Sequence, residues 1–166
     1  MTETIETLLR VVLIGVGATL MMDLWALVLR RFGVPSLDFA LLGRWIGHLP
    51  RGRLIHPGIA KSPPVRGERL LGWSAHYAIG ISFALLLVAT FGLEWARAPS
   101  LLPALLIGVV TVVAPLLILQ PALGAGIASS KTKRPVFNSI KSLGTHAIYG
   151  LGLYLAAVGT TLVVPA

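Results

Sequence analysis

Residues 15–25 read GVGATLMMDLW, with LLRVVLI before them and ALVL after. A spanning helix needs about 20 mostly apolar residues. The run from about Leu8 to Leu29 is long enough, and one acid, Asp23, interrupts it. Three further runs qualify on the same criterion: Leu70–Leu93, Ser100–Gln120 and Ile140–Val164. Together the four take more than half the chain, so no soluble domain can be built from the rest. The fold class that follows is an all-α membrane protein. Four transmembrane helices form one integral membrane domain over 1–166, with loops at about 30–69 and 121–139.

Composition agrees. The chain is 55% hydrophobic and 12% charged, with mean hydropathy +0.85. Soluble domains run to about 45–50% apolar and about 25% charged. The leading MTETIETLLR places two acids before its first base, and no small-x-small cleavage site follows the apolar core. The first run is therefore expected to stay as a helix and not be removed as a signal. There is no cysteine. That excludes disulfides, thiol catalysis, thiolate-held zinc and iron–sulfur clusters.

The net charge of +8 is distributed unevenly. Arg30, Arg31, Arg44, Arg51, Arg53, Lys61, Arg66 and Arg69 fall between the first two spans. Lys131, Lys133, Arg134 and Lys141 fall between the last two. Only Arg10 and Arg97 lie near the other side. The positive-inside rule puts both basic loops in the cytoplasm and both termini outside. Basic loops beside a bilayer meet anionic headgroups, so no nucleic-acid partner is expected. Lys61, Arg66, Arg69, Lys131 and Lys133 are the candidates for headgroup binding. They flank GIAKS and GIASSK, which lack the spacing of a phosphate-binding P-loop.

The first loop contains VPSLDFALLGRWIGHLP. Phe39, Leu42, Ile46 and Leu49 recur at helical spacing, with Arg44 and His48 on the other side. This predicts a short amphipathic helix over Leu37–His48, capped by Ser36 and lying on the membrane surface. The Pro-, Gly- and Arg-rich stretch after it reads as irregular, with His48 and His56 beside solvent or headgroups.

The chain also looks duplicated. Gly58-Ile59-Ala60-Lys61-Ser62 matches Gly126-Ile127-Ala128-Ser129-Ser130, and His76-x-x-x-Gly80 matches His146-x-x-x-Gly150. Two hairpins of the same orientation would be parallel repeats about an axis along the membrane normal.

Asp23 requires compensation. It lies roughly 10 Å inside the span at 1.5 Å per residue. A carboxylate at that depth should face protein or water. An ion pair with Arg30 or Arg31 at the rim is one solution. The other is a polar layer of Asp23, His76 and His146, with Thr19 on the Asp23 face and Gln120 at the end of the third span. Three uses compete for such a layer: a structural hydrogen-bond cluster, a proton- or solute-linked path, and a metal or catalytic centre. Two His and one Asp can bind zinc, but no H-E-x-x-H or G-x-S-x-G motif supports catalysis. No cofactor is expected. Thr111 and Pro115 share a face of the third span, where Pro predicts a kink.

GVGATLMMDLW, LLGRWIGHLPRGR, HPGIAKSPPVRGERLLGWSAHYAIG and THAIYG together resemble an uncharacterised bacterial membrane-protein family, domain of unknown function 2938. The resemblance runs over essentially the whole chain. It implies a bacterial inner-membrane protein and supplies no catalytic residues. The expected role is non-enzymatic: binding, sensing or moving a small solute, ion or lipid, in a homodimer. The alternatives are an enzyme acting on a lipid or quinone at the cytoplasmic interface, and a structural scaffold.

Overall fold

The computed structural model describes residues 2–164. It is helical, with no strand among the described residues. In order come α1 (Glu3–Arg31), α2 (Phe39–His48), α3 (Glu68–Arg97), α4 (Leu101–Val110), α5 (Gln120–Leu123) and α6 (Pro135–Val163). A π-helical turn, Ala114–Leu119, leads into α5. Four stretches are long and apolar enough to cross a membrane: Glu3–Arg31, Glu68–Arg97, Leu101–Leu123 and Pro135–Val163. Each starts within a few residues of the run read from sequence. The chain is a multi-pass membrane protein.

The spans keep much of their apolar surface on the outside. Only 28% of the most apolar window of α1 is buried within the chain, against 39% in α6. In α1, Leu8, Leu20, Leu24 and Leu27 are exposed, while Ile14 and Ala18 are wholly buried. A helix apolar on all sides, with one side packed, suits lipid on the other.

The chain divides into two compact units. The first comprises residues 2–34, 77–111 and 145–164. Its core joins Val11, Ile14 and Ala18 of α1, Ala84, Leu87 and Val88 of α3, Ala104 and Ile107 of α4, and Tyr149, Leu153 and Ala157 of α6. Small residues set the crossings. A Cβ on Gly108 would stand 2.5 Å from Gly150 Cα, so α4 and α6 meet backbone to backbone. At one end of this unit Arg10 is 2% exposed. It donates to Glu6, to Ala96 O and Val164 O, and to Thr160 Oγ1. Glu6 also accepts from Arg97 at 2.6 Å. Near this end α3 breaks at Gly92, whose φ of +83° a residue with a side chain rarely adopts.

The second unit comprises residues 35–76 and 112–144. Here α2 packs on the first turns of α3. Gly43 faces the Glu68 carbonyl and Gly72 faces the Phe39 carbonyl, with no room for a side chain at either glycine. The helix begins at Phe39, two residues later than expected. Asp38 caps it, accepting from Ala40 N at 2.9 Å, in place of Ser36. A backbone bond from His56 N to Ala122 O, 2.9 Å, ties the first loop to α5. Pro115 sits in the π-turn, so the expected kink is a local change of helix type. The two repeated segments each form a one-turn 3-10 helix, Ile59–Lys61 and Ile127–Ser129, closed by the same two backbone bonds. Their hand differs: Ala128 and Ser129 have positive φ, at 48° and 61°.

Candidate functional site

In the first unit, Tyr77 Oη donates to Asp23 Oδ2 at 2.9 Å. Tyr77 is a partner that the sequence reading did not include. Thr19, one turn before Asp23, is 1% exposed, and its hydroxyl donates back to Gly15 O at 2.7 Å. Tyr149 Oη donates to Gly80 O at 2.6 Å. His146 is buried beside Thr111, with Nδ1 3.1 Å from Thr111 Oγ1 and 3.3 Å from Gly108 O. The Thr111 hydroxyl spends its proton on Gly108 O, at 2.8 Å. The carbonyl only accepts, so the hydrogen-bond pattern assigns the His146 proton to Nδ1 and leaves Nε2 as a base.

The second unit holds His76 and Gln120. His76 stacks on Phe39 of α2, with centroids 4.0 Å apart, and meets Trp73 edge-on. Gln120 accepts from Ser129 Oγ at 3.0 Å and donates to Ser142 Oγ at 3.3 Å. Asp23, Thr19 and His146 therefore belong to one unit, and His76 and Gln120 to the other. Lys61, Arg66, Arg69, Lys131 and Lys133 are exposed. Lys131 lines an open cavity of about 360 Å³ with Ile55, Pro121, Gly126, Ile127 and Ser130.

The largest departure from the sequence reading is the first loop. His48 and His56 are not beside solvent or headgroups: they are 2% and 4% exposed. Their rings lie 5.3 Å apart. His48 Nε2 donates to Pro63 O at 3.0 Å, and His56 Nδ1 pairs with Ser62 Oγ at 2.9 Å. Arg44 secures the arrangement. It grips both oxygens of Glu68, at 2.7 and 2.9 Å, and reaches Ala60 O and Ser62 O, both at 3.2 Å. Hydrogen bonding to Glu68 raises the Arg44 pKa above its ordinary value, with burial opposing it. Glu68 also accepts from Val65 N at 2.9 Å. The clue in the sequence was the four-residue spacing of Arg44 and His48. Their shared face meets the folded loop, where the sequence reading had expected solvent.

Among the described residues, no three His, Cys, Asp or Glu side chains gather in a metal-binding group. No curated protein and no solved structure matches the chain. One family model does, over residues 12–160, described as a protein of unknown function. That match spans all four apolar stretches in whole or in large part, together with the folded first loop. The chain belongs to the DUF2938 family.

Proposed function

We propose that this chain is a non-enzymatic membrane protein that binds a small solute or ion and senses or moves it. The observation that carries the reading is the Asp23 carboxylate, set in a 29-residue apolar helix and held by the Tyr77 hydroxyl. Ionisable groups inside spanning helices mark solute paths and proton relays. His146 adds a second proton-exchanging group to the same unit. In this reading Thr19 is a further polar group beside Asp23, and His76 and Gln120 are polar groups of the other unit. The basic loops face the cytoplasm of a bacterial inner membrane, both termini lie outside, and the five exposed loop bases meet anionic headgroups. The repeated GIAKS and GIASS turns support a duplicated pair of hairpins, and a homodimer would cover the small-residue faces.

The test is proton movement into liposomes that carry the full chain and a trapped pH-sensitive dye. An imposed pH gradient should collapse faster than in empty liposomes. Asp23→Asn should abolish the difference while leaving Tm within a few degrees. No protein-dependent flux, with a Tm that falls in Asp23→Asn, would make Asp23 structural. Turnover of a lipid in detergent without a gradient would make the protein an enzyme.

A further inference from the structure

The buried His48 and His56 pair has no part in the reading above. Each ring uses one nitrogen on the loop, at the neighbouring residues Ser62 and Pro63. The opposite nitrogen of each, His48 Nδ1 and His56 Nε2, is buried without a hydrogen-bond partner. Buried imidazole nitrogens are ordinarily satisfied, so two orphans in adjacent rings call for a physical cause.

The tautomers narrow that cause. Pro63 O can only accept, so His48 carries its proton on Nε2 and presents a lone pair at Nδ1. If Ser62 Oγ accepts from His56 Nδ1, His56 presents a lone pair at Nε2 in the same way. Two lone pairs cannot satisfy one another, and no hydrogen bond joins the two nitrogens. An electrophile can satisfy both. Metal-bound histidines characteristically donate their other ring N–H to a carbonyl or another oxygen, which fixes tautomer and orientation. The Pro63 carbonyl and the Ser62 hydroxyl stand in those positions. The spacing also fits. Two imidazoles on one tetrahedral ion, at metal–nitrogen distances of about 2 Å, have ring centroids about 5 Å apart; the observed separation is 5.3 Å.

We propose that His48 Nδ1 and His56 Nε2 form a two-histidine site for an imidazole-preferring transition-metal cation, copper or zinc. Two protein ligands leave coordination positions open, so the ion is held exchangeably and not as a closed structural centre. The Arg44–Glu68 clamp positions the site. It fixes α2 and the loop, with the Arg44 charge paired to Glu68.

The experiment uses the full chain in detergent, purified without a histidine tag and stripped with chelator. It is titrated separately with zinc chloride and with copper(I) held by a competing chelator. Wild type should take up one ion per chain. His48→Gln and His56→Gln should each lose it, while His76→Gln keeps it. Ser62→Ala should bind about 10- to 100-fold more weakly, as loss of a partner behind a ligand does. X-ray absorption on the loaded wild type needs no variant, so misfolding of a variant cannot obscure the answer. Two imidazole nitrogens at about 2 Å are expected there. Uptake of copper only, or of zinc only, names the ion. Absence of uptake in wild type, a metal without imidazole neighbours, or stoichiometry kept in both histidine variants overturns the site.

Discussion

Arg44 and Glu68, 24 residues apart, form a bidentate pair in which Nη2 meets Oε1 at 2.7 Å and Nε meets Oε2 at 2.9 Å. The pair joins α2 to the first residue of α3. The third arm of the guanidinium, Nη1, collects two carbonyls of the intervening loop. One side chain thus turns a Pro- and Gly-rich segment into a fixed wall around His48 and His56.

Arg44→Lys keeps the charge and loses the planar fork, so it should not behave conservatively. A single ammonium cannot serve both carboxylate oxygens and both carbonyls. Hydrogen exchange should quicken at the Lys61, Ser62 and Val65 amides, whose bonds lie in the loop. The α1 amides should be unchanged. Hydrogen bonds to charged groups contribute about 1.5–3 kcal/mol each when well buried. The pair is partly exposed, at 15% and 17%, so a loss nearer 1–2 kcal/mol is expected for the substitution. Unchanged exchange in the loop would show that the clamp does not hold it.

Gly108 and Gly150 permit the contact of α4 with α6. A side chain on Gly108 would meet Gly150 Cα at 2.5 Å and both Gly150 N and His146 O at 2.7 Å. These are backbone atoms, which cannot rotate aside. Gly108→Val should therefore cost at least the about 1–3 kcal/mol typical of overpacking, and should displace Thr111 from His146. Gly159→Ala lies on the same α6 helix, with nothing within 4 Å of the added methyl. It should be neutral or slightly stabilising, since alanine is the better helix former by about 1 kcal/mol. Thermal unfolding of the two variants in one detergent makes the comparison.

Glu6 serves two guanidiniums, Arg10 at 2.8 Å and Arg97 at 2.6 Å. Glu6→Gln leaves Arg10 buried without its anion, and an uncompensated buried charge is the costliest way to break such a pair. Arg10→Met should cost less. It removes the buried cation itself and leaves Glu6 still held by Arg97. Denaturant unfolding in mild detergent should rank wild type above Arg10→Met above Glu6→Gln. The reverse order would mean that the Arg10 bonds to Ala96, Thr160 and Val164 outweigh the charge pairing.

The spans were legible because lipid imposes a length and a composition that a chain must declare locally. The Pro115 irregularity was legible for the same local reason. Arg10 reads from sequence only as one of two bases, with Arg97, near the outer side, because its partners Thr160 and Val164 lie some 150 residues away in sequence. His56 reads as exposed because a loop rich in Pro, Gly and Arg carries no periodicity, and His48 because the polar face of an amphipathic helix ordinarily meets solvent. Their burial depends on the Arg44–Glu68 pairing, a long-range fact that composition does not encode. The Ser36 cap was missed by two residues because Ser36 and Asp38 both suit the position and only geometry separates them.

Asp23 and Tyr77 give the sharpest division between a working carboxylate and a structural one. Tyr77→Phe removes one hydrogen bond to Asp23 and leaves the carboxylate in place. If Asp23 carries protons, the liposome flux should survive in Tyr77→Phe, because the exchanging group is intact. Asp23→Asn keeps a side chain of the same shape that can still accept from Tyr77, but has no titrating proton. It should lose the flux with little change in Tm. If Asp23 only braces the helices, there is no flux to lose, and both substitutions lower Tm, Tyr77→Phe by the about 1.5–3 kcal/mol of a charged hydrogen bond. The two substitutions, measured for flux and for unfolding in the same preparation, separate proton traffic from bracing without knowledge of the cargo.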